Sequence, residues 1–245
     1  MNPSLRTRAG GRLNSGDLLG LVLNDARLRS ALETLLSSLS LVRPAGLPSS
    51  ILFCSTQPEE GKTTLAAALA ISIGITGKQV VLIDADQRRP RIHEIFKLSN
   101  KAGFTDVVAG RANAEDVLKR LQVRSDQVKT QSRVSVIPSG PPDESLFTRV
   151  GRNRLRAVID ALVDSYEVVL IDCPPALAFN DALFLAPVVD GIVFVVEAGS
   201  VLQQHAKLAK KRLENAGGTI FGFVLNCFDD RRHGNAYNPY ASDYL

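Results

Sequence analysis

The residues most able to do chemistry begin at Ser55, where the chain reads Ser-Thr-Gln-Pro-Glu-Glu-Gly-Lys-Thr-Thr up to Thr64. A short apolar run, Ile51–Cys54, precedes this stretch, and a helical pattern begins at Lys62. A turn from strand into helix aims backbone N–H groups at anionic oxygens, and the helix dipole adds to the attraction. The segment is expected to bind ATP through Thr56, Glu60, Gly61, Lys62, Thr63 and Thr64. The Lys62 ammonium would lie on the β- and γ-phosphates, and the Thr63 hydroxyl would face Mg²⁺. The general pattern GxxxxGK[ST] has glycine where this chain has Thr56. A chance Gly-Lys-Thr at a helix start is the competing reading, and the buried strand directly before it favours the phosphate loop.

Carboxylates follow two further apolar runs. The first ends in Asp84-Ala85-Asp86 and continues Gln87-Arg88-Arg89-Pro90. Residues two apart on an extended strand face the same way, so Asp84 and Asp86 are expected to project together toward the ligand edge. Two adjacent carboxylates repel unless a cation or proton separates them. Mg²⁺, which prefers oxygen ligands and keeps several waters, is the natural neutraliser. The second run ends in Asp172-Cys173-Pro174-Pro175, an arrangement that holds a metal-bound water in phosphate-loop enzymes. Thr63, Asp172 and the Asp84/Asp86 pair are therefore the candidate metal residues. An aspartate after a strand is otherwise a turn or capping residue.

The elements that must position these groups show in the rhythm of the chain. Six runs rich in Val and Ile are apolar on both faces: Ile51–Cys54, Val80–Ile83, Val134–Ile137, Val168–Ile171, Ile192–Val196 and Ile220–Leu225. Such strands belong in a mostly parallel sheet covered on both sides. Helical patterns at Lys62–Ile75, Leu146–Leu162 and Leu202–Ala216 separate them. The expected fold is a three-layer, doubly wound α/β P-loop NTPase, which binds ligands beyond the carboxyl ends of its strands. Residues 1–16, polar and rich in Gly, Arg and Ser, read as a disordered start. Residues 17–49 read as a helical segment and linker, with Leu28, Leu32, Leu35 and Leu39 on one face and Arg43-Pro44 as the stop. Residues 50–228 form the nucleotide-binding domain, and 229–245 a tail.

Composition limits the alternatives. The net charge of +4 is modest, and the run Lys207, Lys210, Lys211, Arg212 reads as a solvated helix face. Trp is absent, and no base-stacking platform suggests nucleic acid. Cys54, Cys173 and Cys227 each sit in an apolar context without metal-ligand spacing, as buried thiols in a reducing cytosol would. No run is long enough to span a bilayer, so the chain is expected to be cytoplasmic, with any membrane role supplied by a partner.

Taken together, QPEEGKTT, VVLIDADQRRP and VVLIDCPP resemble the bacterial tyrosine kinases of capsule and exopolysaccharide systems, the BY-kinases. RIHEIF, GFTDVVAG, VSVIPSGPP and FGFVLNCFD are similar to further segments of that family, so the resemblance covers roughly residues 50–230. It implies an ATP-dependent protein-tyrosine autokinase that uses Mg²⁺ and regulates polysaccharide polymerisation or export. It implies catalytic roles for Lys62, Asp84 and Asp86, with Thr63 as a metal ligand, Asp86 and Asp172 holding the metal through waters, and Asp84 taking the proton of the acceptor tyrosine. It puts Asn226 on the adenine side, although a turn residue would look the same. Arg88 could be either an ion-pair residue or a phosphate contact, and His93 reads as structural. Glu59 stands where many relatives carry glycine. The family's tyrosine-rich end has a counterpart in Tyr237, Tyr240 and Tyr244, the expected autophosphorylation positions; only Tyr166 lies elsewhere.

The resemblance further implies a separate transmembrane activator, a polysaccharide co-polymerase, that recruits the chain to the inner face of the membrane. The family's ring-forming ExxRxxR helix corresponds here to Ser30–Leu36, where the Glu and both Arg are replaced, so self-association into a ring is not expected. Two other readings share the motifs. One is a MinD/ParA-like switch ATPase, which usually carries Lys at the position of Gln57. The other is a degenerate nucleotide-binding regulator, consistent with Thr56 and Glu59.

Overall fold

The computed structural model describes residues 15–121 and 133–228. Two helices open it, α1 (Ser15–Asn24) and α2 (Ala26–Leu41), joined through Asp25. Asp25 is why a second helix starts there: its carboxylate accepts the N–H groups of Arg27 and Leu28, both at 3.0 Å. The chain then alternates through β1 (Ser50–Ser55), α3 (Lys62–Ile75), β2 (Val80–Asp84), α4 (Ile92–Phe96), α5 (Phe104–Val108), α6 (Ala114–Val117), β3 (Lys119–Arg120) and β4 (Val134–Ile137). It continues with α7 (Leu146–Val163), β5 (Val168–Asp172), α8 (Asp181–Leu185), β6 (Gly191–Glu197), α9 (Gln203–Asn215) and β7 (Ile220–Asn226).

The sheet order is β3-β4-β2-β5-β1-β6-β7. Every pairing is parallel except β3 with β4. The six apolar runs are the six parallel strands, and strands β1, β2, β4 and β5 are buried along their whole length. Burial on both faces is why they read as continuous apolar runs rather than alternating ones. One face packs on α3 with α1 and α2, and the other on α5, α7, α8 and α9. This is the expected doubly wound α/β fold.

Several elements were not legible. Helix α1 follows a polar stretch, yet Leu18 and Val22 are buried against the same core as α3, so Ser15 and Gly16 belong to a helix rather than to the expected disordered start; residues 1–14 lie outside the described residues. The edge strand β3 has two residues and no apolar signal. Helix α7 contains a break at Gly151, whose φ of 70° no helix residue adopts, and the single pattern Leu146–Leu162 conceals it.

The topology fixes the ligand edge. Strand β5 lies between β1 and β2, with Asp172 in register with both Phe53 and Asp84. The segments leaving β1, β2 and β5 therefore emerge side by side. On the sheet face covered by α3, Leu32 of α2 is buried in the same core cluster. Leu32→Ala should lower stability by about 2–5 kcal/mol in urea unfolding with the slope unchanged. A loss below about 1 kcal/mol would show that α2 is only loosely attached.

Candidate active site

Helix α3 begins at Lys62 with Gly61 at its N-cap, in the left-handed region at φ 85°. No side chain caps it, so the N–H groups of its first turn remain open to anionic oxygens. Glycine is required at 61 for a second reason. A Cβ there would come within 2.0 Å of Asn226 Nδ2. Asn226, the last residue of β7, donates from that nitrogen to the Glu60 carbonyl at 2.8 Å. Its side chain thus braces the phosphate loop, a role that the turn-or-adenine alternatives did not include.

Glu60 also supports the loop from behind. Its buried carboxylate accepts the Gln57 N–H at 2.7 Å and the Glu197 N–H at 3.3 Å, tying the loop to the end of β6. Burial raises its pKa, and the backbone N–H groups oppose that rise. The side chain faces the protein, not the ligand edge, so any nucleotide contact at 60 falls to the backbone. Thr56 is buried, and its hydroxyl has no hydrogen-bond partner. Glu59 takes φ 70°, a conformation that suits glycine and strains a glutamate.

The charged centre lies in front of this loop. Lys62 Nζ is 3.1 Å from Asp86 Oδ2 and 3.4 Å from Asp172 Oδ1, and it donates to Thr63 Oγ1 at 3.3 Å. Thr63 in turn donates to Asp172 Oδ2 at 2.6 Å. All four side chains close on one another, and the cation between the two carboxylates is the Lys62 ammonium. Burial by itself would lower the lysine's pKa, but Asp172 and Asp86 outweigh it and hold it above its ordinary value. Burial pushes the Asp172 carboxyl up to about 6; Lys62 and the Thr63 hydroxyl restrain the rise, and Asp86 adds to it.

Asp84 departs from expectation. Strand β2 ends at Asp84, so the period-two rule does not extend to Asp86. The Asp84 carboxylate is fully buried and turns back on its own chain. Its Oδ1 accepts the Asp86 N–H at 3.1 Å, and its Oδ2 accepts the N–H groups of Arg91 and Ile92, each at 3.0 Å. Burial raises its pKa well above its ordinary value, the charge of Asp172 adds to this, and the Ile92 N–H opposes it. Asp86 instead faces Lys62 through Oδ2, while its Oδ1 accepts the N–H groups of Arg88 and Arg89 at 3.2 and 3.0 Å. The two aspartates do not point as a pair: one orders the loop and the other enters the charged centre.

Arg88 is an ion-pair residue. It pairs with Glu144 and, at 3.6 Å, with Asp181, and its guanidinium lies 4.9 Å from the centre of the Phe179 ring. These partners come from the start of α7 and from around α8, too distant in sequence to be found by spacing. Cys54 and Cys173 are buried thiols beneath the centre, and burial raises the Cys173 pKa. His93 sits in α4 beside a buried face, as a structural residue would. Tyr166 is half-buried, with its hydroxyl 3.3 Å from Ser135 Oγ. Tyr237, Tyr240 and Tyr244 lie outside the described residues.

Among the described residues, no group of three or more His, Cys, Asp and Glu forms an all-protein metal cage. The donors fit a magnesium ion that also binds phosphate and water, because such sites use one or two carboxylates. Asp172 Oδ1, buried with the Lys62 ammonium 3.4 Å away, and the adjoining Thr63 hydroxyl are oxygens of the required kind.

Comparisons with known proteins agree with this geometry. A family model described as AAA domain matches residues 51–202. The tyrosine-protein kinase YwqD of Bacillus subtilis (strain 168) is 32% identical over 177 residues, covering 72% of this chain and 71% of YwqD. The tyrosine-protein kinase etk of Escherichia coli (strain K12) is 31% identical over 176 residues, covering 72% of this chain but 23% of that longer protein. Among solved structures, the kinase domain of Escherichia coli tyrosine kinase ETK superposes with a TM-score of 0.76 at 27% identity, over 91% of this chain and 84% of that one. MinD of Pyrococcus horikoshii OT3, complexed with Mg-ADP, gives a TM-score of 0.58 at 25% identity, over 72% of this chain and 69% of that one.

The close approach at Gly61 yields a direct test of the loop. Gly61→Ala should weaken ATP binding by more than about tenfold, since it adds left-handed strain to the collision with Asn226. The double variant Gly61→Ala/Asn226→Ala removes the collision and should recover part of the affinity by calorimetry. Equal affinities of wild type and Gly61→Ala would show that this loop does not hold the nucleotide.

Proposed function

Because this chain belongs to the bacterial protein-tyrosine kinase family, we propose that it transfers the γ-phosphoryl group of ATP to tyrosines of its own C-terminal segment. The observation that carries the proposal is the closed charge cluster of Lys62, Thr63, Asp86 and Asp172 at the strand ends. Phosphoryl transfer demands positioning and charge neutralisation more than covalent chemistry. The first turn of α3 and the Lys62 ammonium would hold the phosphates. Thr63, Asp86 and Asp172 would hold Mg²⁺, which when bound supplies positive charge opposite the phosphate oxygens. Asp84 is the group proposed to take the hydroxyl proton. The resemblance supports this role, and hydrogen bonds from the N–H groups of Asp86, Arg91 and Ile92 fix the position of the carboxylate.

The acceptors proposed are Tyr237, Tyr240 and Tyr244. Tyr166 is excluded because its ring packs against the core and its hydroxyl is engaged with Ser135. We further propose that the kinase serves capsule or exopolysaccharide polymerisation or export, at the inner face of the membrane, with a separate transmembrane activator. The resemblance of the motifs supports this, and no helix among the described residues is long and apolar enough to cross a membrane. The proposal stops short of a ring oligomer: on α2, Ser30 and Glu33 are exposed where the ring-forming segment would carry charge-pairing partners.

A MinD-like switch ATPase remains the second reading, on the strength of the shared fold. Mass spectrometry after incubation with ATP and Mg²⁺ separates the two. Phosphate is expected on the three tail tyrosines and not on Tyr166, with a faster rate when an activator fragment is added. Asp84→Asn should slow transfer by about 10²–10⁴-fold while ATP still binds. ATP hydrolysis with an unmodified tail, with or without the activator, would favour the ATPase.

A further inference from the structure

Beside the loop that follows β2 lies a cavity of about 260 Å³. That is less than the roughly 300–1,000 Å³ of pockets for drug-sized ligands, and suits one side chain. It adjoins the charged centre: the Arg88 N–H that donates to Asp86 belongs to a residue whose guanidinium forms part of the cavity wall. Asp181, also in the wall, is near enough to Asp86 for their charges to repel.

The wall has two characters. Phe147 of α7, Phe179 before α8 and Phe184 of α8 bring aromatic rings to it from separate elements. Arg88 and Asp181 bring polar atoms, and Arg88 is held over the Phe179 ring by Glu144 and Asp181. Arg88 Nε is buried without a hydrogen-bond partner. Rings beside hydrogen-bonding groups match a side chain with an apolar body and a polar tip. We propose that this cavity seats the aromatic side chain of the tyrosine that accepts the phosphoryl group, which rests on the tyrosine-kinase reading above.

Charge decides which form of that side chain stays. Two carboxylates, Glu144 and Asp181, surround the single Arg88 cation. A phenol is neutral and meets no repulsion from them. A phosphotyrosine carries about −1.5 to −2 and meets an already compensated arginine with a surplus of negative charge. The cavity therefore admits the acceptor and rejects the product. The break at Gly151 separates the turn that carries Phe147 and Thr148 from the rest of α7, and Phe147 is anchored there edge-on against Phe104.

Thr148 is exposed and lines the cavity, so Thr148→Trp fills the space without disturbing the core. Phe184→Ala removes one ring of the wall, and Thr148→Ser is the neutral control. The probe is a fluorescent peptide with the sequence of residues 229–245, in three versions carrying tyrosine, leucine or phosphotyrosine at the three tyrosine positions. Full-length protein with ATP and Mg²⁺ is assayed for peptide transfer, and peptide binding is read by anisotropy. Thr148→Trp and Phe184→Ala should raise the peptide KM by about tenfold while leaving the ATP KM unchanged. The wild type should bind the tyrosine version about tenfold tighter than the other two. Tyrosine-selective binding lost in Thr148→Trp but without transfer would uphold the cavity and refute the kinase reading. Transfer with the same peptide KM in all variants, equal binding of the phosphotyrosine version, or no tyrosine-selective binding would overturn the assignment.

Discussion

One buried ammonium faces two buried carboxylates, and the ligand edge of this protein is organised around that excess of negative charge. At about 4 Å and an effective dielectric constant near 20, each attraction to Lys62 is worth roughly 4 kcal/mol before the cost of desolvation. Desolvation consumes much of that gain, so such a cluster is weak evidence for stability. Its better use is chemical. Burial raises the proton affinity of Asp172 against the pull of Lys62, and a divalent cation held there would favour the charged carboxylate.

The backbone holds this arrangement at some cost. Glu59 occupies a left-handed conformation, and Gly61 lies so close to Asn226 that no other residue fits. Glu60 and Asn226 tie the loop to β6 and β7, strands that contribute nothing to the charged centre itself. Asp84 does the same for the loop after β2, spending its oxygens on three backbone N–H groups. Strain in the loop persists because neighbouring strands over-determine it, as expected where geometry serves a ligand.

Much of this was legible in the chain. Buried parallel strands announce themselves as unbroken Val and Ile runs, and a turn rich in Gly, Lys and Thr after such a run has few other uses. Lys62, Thr63, Asp86 and Asp172 could be brought together because each stands at or just beyond an element's end. What escaped depends on tertiary contacts. Asp84 and Asp86 look like a matched pair by strand periodicity, but the strand stops between them. Glu60 looks like a ligand contact because its position abuts Gly61, whereas the backbone turns its side chain inward. Arg88 meets Glu144, Phe179 and Asp181 only because α7 and α8 pack beside β2, and no local pattern encodes that meeting. The break at Gly151 hides inside a sound helical periodicity.

The account stands or falls on whether the Lys62 cluster transfers phosphate to tyrosine. The most direct measurement is single-turnover transfer from radiolabelled ATP with Mg²⁺, comparing wild type with Lys62→Met and resolving the label by phosphoamino-acid separation. The account predicts label on tyrosine in the wild type and a loss of at least about a hundredfold in Lys62→Met, the size of effect seen when one electrostatic donor is removed from a transfer site. Equal labelling of tyrosine in both proteins, or label found on no tyrosine at all, would contradict it.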